Sequence, residues 1–353
     1  MRTIKIGLIG AGGIAQTHMR ALKEVEGIEV VAVCDLIKER AESTARKYGV
    51  PHIFTNYHDV LAMDEIEAVS VVTYNQAHCA PTVDALYAGK HVLVEKPMAA
   101  TLDDAAAMTR AAHETGKILM VALKTRYSPH MIEAKRVAES GALGDIYYAE
   151  SVACRRSGIP GWPGASFTYK EKAGLGAVAD IGVYSLDAAL YVMGHPKPVA
   201  VSGIANNLLG TRYSQPVVGG WEWDPNNLTV EDFGAGSVRF EDGRMMIFKT
   251  CWIMNMDSLG DTLFLGTKGG MKLHPLTVYR NEWGATNDIQ LNVPQVEDIE
   301  LFKSENLAFA DAVRNNKPSP IPAEQMLLTN VIIQGLIDSA AAGHEVQVSI
   351  PAV

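Results

Sequence analysis

The sequence predicts an α/β protein of two domains, the first on a parallel, doubly wound sheet and the second on an open, mostly antiparallel sheet. Short continuous apolar runs alternate with helical patterns through residues 1–125, and strands of this kind are buried on both faces. Beyond that point, through residues 126–353, the strand patterns are longer and follow one another directly, which is typical of an α+β domain. A length of 353 residues suits two domains.

The first domain, 1–125, contains repeated strand–helix units. Apolar runs predict strands at 4–9, 28–34, 68–73, 91–94 and 118–122. Apolar spacing predicts helices at 13–23, 38–48, 77–88 and 101–115. The last of these helices has Asp103 and Asp104 in its first turn and Gly116 at its end, as the helix dipole and a left-handed cap favour. Successive units of this kind predict parallel strands.

The second domain, 126–353, has fewer helices. Helical patterns cover 128–140, 176–193 and 323–342, and we expect the last of these to pack back on the first domain. Strand patterns cover 146–155, 198–204, 229–240, 244–253 and 262–265. Glu241-Asp242-Gly243 predicts a hairpin turn between two of them. Residues 205–228 and 276–300 are rich in Asn, Gly and Pro and are predicted to be loops.

Composition and charge exclude several classes of protein. With 48% hydrophobic and 20% charged residues, the chain is neither disordered nor fibrous. The net charge of −9 provides no basic field, so we expect no nucleic-acid partner. No run approaches the ~18–20 apolar residues of a membrane span, and the N-terminus lacks a signal-peptide pattern. We therefore expect a cytoplasmic protein without a membrane partner.

The cysteines and histidines do not indicate a metal site or a disulfide framework. The four cysteines are scattered and form no CxxC pair, at Cys34, Cys79, Cys154 and Cys251. Free thiols are typical of a reducing cytosol. The histidines show no metal-ligand spacing, so no metal is predicted.

A glycine-rich motif follows the first strand. The residues are Gly10-Ala11-Gly12-Gly13-Ile14-Ala15, a G-x-G-x-x-A sequence at a strand-to-helix turn. Gly10 permits the tight turn, Gly12 lets the backbone approach a pyrophosphate, and Ala15 allows close packing of helix on strand. The first helical N–H groups then face the phosphates. We therefore predict a dinucleotide site that includes Gly10, Gly12, Gly13 and Ile14.

Asp35 ends the second strand, 25 residues after Gly10. A carboxylate at this place accepts hydrogen bonds from both hydroxyls of the adenine ribose and repels a 2′-phosphate. The sequence therefore favours NAD over NADP, although Arg40 lies nearby. Asp35 can also cap the next helix while it binds the ribose, so the two roles are compatible.

Several motifs along nearly the whole chain resemble those of the Gfo/Idh/MocA oxidoreductases. The motifs are His91-Val92-Leu93-Val94-Glu95-Lys96-Pro97, Thr73-Tyr74-Asn75-Gln76-Ala77-His78, Ala88-Gly89-Lys90 and the run 173–184. The resemblance implies a Rossmann domain followed by an open-faced sheet domain, with the nicotinamide between them. It implies that Lys96 touches both substrate and cofactor, and that the cofactor-binding residues include Thr73, Asn75, His78 and Glu95.

The family motif Asp-x-Gly-x-His reads Asp180-Ile181-Gly182-Val183-Tyr184 in this sequence. The tyrosine in place of histidine resembles the branch containing glucose–fructose oxidoreductase and the xylose and dihydrodiol dehydrogenases. Tyr74 also departs from the family, many members of which have proline there. The resemblance implies catalytic and substrate-binding roles for Lys96, Asp180 and Tyr184.

Oxidation of a secondary alcohol requires a hydride acceptor, a proton acceptor and a group that stabilises the oxyanion. We assign Tyr184 as general acid/base and Lys96 as the cation that polarises the oxygen. The reverse assignment of these two residues remains open. Asp180 orients the substrate or pairs with Lys96. Asp187, one helical turn after Tyr184, is interpreted as a structural carboxylate.

Further residues are candidates to line a substrate pocket. They are Arg126, Arg155 and Trp162, and the indole lies in a Gly/Pro-rich loop where it could stack on a sugar. For Arg155 and its neighbour Arg156 the alternative is a solvated charge at a strand end.

The resulting prediction is an NAD-dependent oxidoreductase that moves a hydride between nicotinamide and a hydroxyl of a sugar, polyol or cyclic diol. Alternatives are an NAD-dependent glycoside hydrolase that oxidises its substrate transiently, a non-catalytic NAD/sugar sensor, and an enzyme with tightly held NADP that cycles between two sugars. Because an open sheet face must be covered, a homodimer or homotetramer is expected.

Overall fold

A computed structural model describes residues 2–161, 165–212 and 221–353 of the chain. The strands are β1 Ile4–Ile9, β2 Ile28–Cys34, β3 His52–Phe54, β4 Ala68–Val71, β5 His91–Glu95, β6 Leu119–Ala122, β7 Ile146–Cys154, β8 Pro198–Asn206, β9 Phe233–Phe240, β10 Met245–Cys251, β11 Leu263–Gly266, β12 Gly270–Lys272, β13 Thr277–Glu282, β14 Ala285–Gln290 and β15 Val346–Gln347. The helices are α1 Gly13–Glu24, α2 Lys38–Tyr48, α3 Tyr57–Leu61, α4 Cys79–Tyr87, α5 Leu102–Thr115, α6 Pro129–Glu139, α7 Lys170–Ala173, α8 Ala177–Asp180, α9 Gly182–Met193, α10 Asp298–Asn315 and α11 Ala323–Ala342.

The chain divides into two units whose limits differ from the predicted domains. The first unit comprises 1–127, 296–327 and 351–353, and the second comprises 128–295 and 328–350. Residues 296–327, which carry α10, therefore belong to the first unit although they follow the second in sequence. The border between the units falls inside α11, after Leu327.

The first unit contains a six-stranded parallel sheet in the order β3-β2-β1-β4-β5-β6. Its central strands are apolar throughout: β4 reads Ala-Val-Ser-Val and is buried along its length, as a strand covered on both faces must be. The order reverses direction between β1 and β4. Ligands of such sheets bind beyond the carboxyl ends of the strands at that reversal. This confirms the predicted doubly wound sheet.

The second unit contains a nine-stranded sheet in the order β14-β13-β12-β11-β7-β10-β9-β8-β15. In the part of the chain that the structure describes, β7 and β10 are its one parallel pair and the remaining pairs are antiparallel. Inward-facing residues such as Met246, Phe248 and Phe264 form one core with α9 residues such as Leu186. The predicted α+β domain is confirmed, including the hairpin at Gly243.

Several predictions for the second half of the chain are wrong in detail. The helix predicted at 176–193 is interrupted at Ile181, which ends α8 and precedes α9. The region 276–300, predicted to be a loop, holds the β13–β14 hairpin and the start of α10. The strand predicted from residue 229 begins at Phe233. In the region 205–228, β8 extends to Asn206 and a short 3-10 helix covers Pro225–Asn227.

No single helix within the described ranges is long and apolar enough to cross a membrane. The segments Lys170–Asp180 and Gly182–Met193 meet that criterion only as a pair bent by 47°.

Candidate active site

The glycine-rich turn joins the carboxyl end of β1 to α1. Gly10 has φ +103°, and a Cβ on it would lie 2.6 Å from the carbonyl oxygen of Val72, so a side chain is excluded there. A Cβ added to Gly12 or Gly13 would meet no heavy atom within 4 Å. The backbone at the start of α1 therefore borders open space, and Ile14 beside it is 38% exposed.

Asp35 fixes this turn from the end of β2. Its Oδ2 accepts the N–H of Ala11 at 2.8 Å, and its Oδ1 accepts the N–H of Ile37 at 2.8 Å. Each carboxylate oxygen has a second lone pair for a further donor. The open backbone at Gly12 and Gly13, the amino end of α1 and the anchored carboxylate together fit the pyrophosphate and ribose of an NAD group.

Lys96 follows β5 and is held by its neighbour in sequence. The Oε2 atom of Glu95 accepts the backbone N–H of Lys96 at 3.0 Å, and Oε1 lies 2.7 Å from Nε2 of His18. Burial opposes ionisation of Glu95, but the hydrogen bond from His18 and nearby positive groups outweigh it and lower the pKa of this carboxyl. Glu95 is therefore a buried carboxylate that fixes the Lys96 backbone, and its side chain faces protein atoms.

His78 connects the end of β4 to the residues after Lys96. Its Nδ1 lies 2.9 Å from the carbonyl oxygen of Pro97, and its Nε2 lies 3.2 Å from that of Thr73. Burial lowers the pKa of His78 although these carbonyls favour the charged form. The side chain of His78 is fully buried and both ring nitrogens face backbone carbonyls, while Asn75 in the adjacent 3-10 helix is half-buried.

A second buried carboxyl, Glu305 of α10, was not identified from the sequence. It is fully buried, and within the described ranges neither of its oxygens has a hydrogen-bond partner. Burial, followed by repulsion from Glu95, raises its pKa well above the ordinary value. Burial therefore favours the protonated form of Glu305, and its carboxyl group lies near enough to Glu95, which holds the Lys96 backbone, for the two to interact electrostatically.

In the second unit, Asp180 is the last residue of α8 and is buried. Its Oδ2 accepts the indole N–H of Trp252 at 2.9 Å, and Trp252 is fully buried. The surrounding cluster is apolar and includes Ile181, Trp223 and Ile253. Trp252 is thus a further candidate site residue that the sequence did not indicate, because it lies 72 residues from Asp180 in the chain.

Tyr184 lies in the first turn of α9 and is half-buried. The start of α9 packs closely on β10: a Cβ on Gly182 would lie 2.7 Å from Phe248. The prediction of one continuous helix, which would place Asp180 and Tyr184 on one face, is wrong: the helix is interrupted at Ile181, so the two residues belong to successive helices. Asp187, on the same helix as Tyr184, is buried.

The predicted substrate-binding arginines have partners within their own units. The Nη1 of buried Arg126 donates to Oε1 of Gln325 at 2.6 Å. Arg155 donates to the Gly158 carbonyl oxygen at 3.2 Å, and its guanidinium lies 5.6 Å from the ring centre of Trp221. Trp221 is 44% exposed and is a candidate stacking surface. Trp162 lies outside the described residues.

The strand order, the glycine turn and the anchored Asp35 define a dinucleotide-binding protein of the Rossmann class. Residues 4–123 match the model of an oxidoreductase family with an NAD-binding Rossmann fold, and residues 131–272 match the GFO/IDH/MocA C-terminal domain. The chain belongs to the Gfo/Idh/MocA family and is an NAD-dependent oxidoreductase. The resemblance seen in the sequence is confirmed.

Known proteins similar to this chain include dehydrogenases. D-glucoside 3-dehydrogenase of Escherichia coli (strain K12) is 32% identical over 347 residues, covering 98% of this chain and 97% of that protein. Inositol 2-dehydrogenase of Salmonella typhimurium is 35% identical over 145 residues, covering 40% and 43%. The structure of levoglucosan dehydrogenase in complex with NADH and levoglucosan has a TM-score of 0.83 at 20% identity, covering 99% of this chain and 100% of that one.

Proposed function

We propose that this chain is a cytoplasmic dehydrogenase that oxidises a secondary hydroxyl of a sugar, with polyols and cyclic diols as related substrates. The observation that carries the proposal is the buried Asp180 carboxylate, which Trp252 orients beside the helix that bears Tyr184. A fixed carboxylate suits the recognition of hydroxyl groups. The nearly full-length similarity to D-glucoside 3-dehydrogenase supports the same substrate class.

The chemistry requires one group to take the hydroxyl proton and another to stabilise the oxygen. When bound, the NAD nicotinamide accepts the hydride. Tyr184 is assigned as the group that takes the proton from the substrate oxygen, and Lys96 as the cation that stabilises that oxygen. Asp180 accepts a hydrogen bond from a neighbouring hydroxyl and so orients the substrate. Arg155 and Trp221 are proposed to contact the rest of the sugar.

The first unit supports this assignment through the way it holds Lys96. Glu95 accepts the Lys96 N–H, and His78 links Pro97 to Thr73. Each of these groups is buried or held by more than one contact, so the backbone on both sides of Lys96 is fixed before substrate binds. Asn75 and Thr73 are proposed to contact the nicotinamide half of the cofactor, and Glu95 and His78 to act by positioning.

Asp35 supports a preference for NAD. A 2′-phosphate on the adenine ribose would place a dianion beside this carboxylate, and like charges at short range repel. The backbone contacts from Ala11 and Ile37 hold the carboxylate in place, so it cannot turn away without losing two hydrogen bonds.

The exposed face of the nine-stranded sheet supports a homodimer or homotetramer. Leu265, Tyr148 and Met245 pair across three adjacent strands on the face opposite the helices, and each is partly exposed. A group of exposed apolar side chains on an open sheet face is typical of a subunit interface. Light scattering at micromolar concentration tests this, and a monomer would contradict it.

The experiment that tests the proposed function is the appearance of NADH absorbance. Purified protein is mixed with NAD or NADP and with aldoses, glucosides, inositols, anhydrosugars or cyclic diols in turn. Growth of the signal with NAD and a sugar is the expected result. If the protein binds NAD but yields no NADH with any of these substrates, the proposal fails. Cleavage of an aryl glycoside without net NADH would instead identify the hydrolase.

A further inference from the structure

Two free thiols lie side by side at the ends of neighbouring strands in the second unit. Cys154 ends β7 and Cys251 ends β10, and the parallel register pairs these two residues directly. Directly paired residues project to the same face, so the two thiol side chains are adjacent. Neighbouring strands lie about 4.8 Å apart, within the Cα separation of about 4.4–6.8 Å that a disulfide requires.

The two thiols differ in exposure and in acidity. Cys154 is partly exposed, whereas Cys251 is fully buried. Interaction with the adjacent Cys251 thiol, assisted by the ammonium of Lys249 two residues before Cys251, lowers the pKa of Cys154. Interaction with Cys154, followed by burial, raises the pKa of Cys251. The accessible thiol is therefore the better nucleophile, and the buried one lies in position to react second.

This pair adjoins the carboxylate of the proposed active site. Cys251 immediately precedes Trp252, whose indole N–H holds Asp180. The carbonyl oxygen of Cys251 accepts the N–H of Arg155 at 2.9 Å, and Arg155 directly follows Cys154. A covalent bond between the two sulfurs would therefore move the backbone of Cys154 and Cys251, which directly precede Arg155 and Trp252 of the proposed site.

We propose that Cys154 and Cys251 form a reversible dithiol–disulfide site, oxidised by a hydroperoxide, and that its oxidation displaces Trp252 and so disturbs Asp180. The second half of this proposal rests on the role of Asp180 in the proposed function. The first half does not depend on it. In a reducing cytosol the pair would rest as the dithiol, since disulfides there are mostly transient or redox-sensing.

The chemistry balances with the hydroperoxide as oxidant. The Cys154 thiolate attacks the peroxide oxygen, the O–O bond breaks, and a sulfenic acid forms while an alcohol or water leaves. The Cys251 sulfur then attacks the Cys154 sulfur, the S–O bond breaks, and the hydroxyl leaves as water with the thiol proton. The two thiols lose two electrons to the peroxide. A small dithiol reverses the reaction by thiol–disulfide exchange.

The first test detects the disulfide bond between Cys154 and Cys251. The protein with NAD bound is treated with hydrogen peroxide, and its thiols are then counted after denaturation and mapped by non-reducing peptide mass spectrometry. We expect the four thiols of the chain to fall to two, with one Cys154–Cys251 cross-link. Cys154→Ser should form no cross-link, and the matched control Cys34→Ser should still form it. Sulfinic acids at Cys154, or cross-links between other cysteines, would overturn the proposal.

The second test measures how oxidation of the two thiols affects catalysis. Oxidation should lower kcat/KM by about tenfold or more, as displacement of an orienting group does, and dithiothreitol should restore it. Cys154→Ala and Cys154→Ser should be insensitive to peroxide. A quantitative cross-link with unchanged kcat/KM would overturn the coupling to Asp180. If no substrate gives NADH, the proposed function has failed, and the thiol count still decides whether the disulfide forms.

Discussion

The indole N–H of Trp252 donates a hydrogen bond of 2.9 Å to Oδ2 of Asp180, and both side chains are buried. This bond connects the end of α8 to the residue that follows β10. The neighbouring cluster residues are apolar, and the bond from Trp252 constrains the direction in which this carboxyl group points. The orientation of Asp180 thus depends on a residue far away in the sequence.

Trp252→Phe removes this donor while keeping an aromatic ring in the cluster. A hydrogen bond to a charged group contributes about 1.5–3 kcal/mol, so kcat/KM should fall by about ten- to hundredfold. The affinity for NAD should not change, because the residues proposed to bind it lie in the other unit. Steady-state kinetics and calorimetric titration of NAD measure the two quantities.

Trp223→Phe is the matched control. Trp223 belongs to the same apolar cluster, but its N–H donates to the carbonyl oxygen of Gly210 at 2.7 Å. Loss of the hydrogen bond to Gly210 should lower Tm and leave kcat/KM within about threefold of the wild type, because no proposed catalytic group loses a partner. Equal kinetic losses in Trp223→Phe and Trp252→Phe would show that the cluster supports the fold alone and does not orient Asp180.

The parts of the fold that could be predicted from the sequence depend on local patterns. The strands of the first sheet are continuous apolar runs, and the glycine turn after β1 is defined by consecutive residues. The left-handed φ of Gly10 follows from the same motif. Asp35 was identified by its spacing, and the structure adds the contact with Ala11 that spacing could not reveal.

The parts that could not be predicted depend on contacts between distant residues. No local pattern in the sequence predicts the contact between Trp252 and Asp180, because it depends on how β10 pairs with its neighbouring strands. The break at Ile181 falls within a continuous apolar pattern. Helix α10 was missed because its buried face includes Glu305 and Asn306, which obscure the apolar spacing.

Lys96→Met and Tyr184→Phe test the two catalytic assignments. Each substitution removes a group that handles the proton or the charge on the substrate oxygen, so kcat should fall by about 10²–10⁴. NAD should still bind with wild-type affinity to Tyr184→Phe. The pH profile of kcat separates the roles, because the fall in kcat at low pH, which reports protonation of the proton acceptor, should be lost in the variant that lacks that acceptor. Wild-type turnover in either variant would remove that residue from the mechanism.

Asp35→Asn tests the cofactor preference. The amide oxygen of this variant can still accept the N–H of Ala11 or Ile37, so the fold of the turn should be retained while the negative charge is lost. The Kd for NAD should rise about tenfold, and the ratio of NADP to NAD affinity should increase by at least the same factor. Calorimetric titration with both cofactors measures this, with Tm as the control for folding. Equal weakening of both cofactors would contradict the proposed ribose contact.

Asp232 predicts a pH dependence of stability. It is fully buried, its Oδ2 accepts the N–H of Gly210 at 2.5 Å, and its Oδ1 has no partner within the described ranges. Burial raises the pKa of this carboxyl from 3.8 to about 6, against the lowering effect of backbone N–H groups. Between these two values the folded protein binds more protons than the unfolded chain, so the free energy of unfolding decreases as the pH rises.

Asp232→Asn removes this titration while its amide oxygen continues to accept the N–H of Gly210. Urea unfolding at several pH values between about 4.5 and 7.5 compares the variant with the wild type. The unfolding free energy of the variant minus that of the wild type should increase by about 1.4 kcal/mol per pH unit up to about pH 6, and then stay constant. The total increase from below pH 3.8 to above about pH 6 should be about 3 kcal/mol. A difference that stays constant with pH would mean that Asp232 is ionised in the folded protein throughout, with a donor near Oδ1 that compensates for its burial.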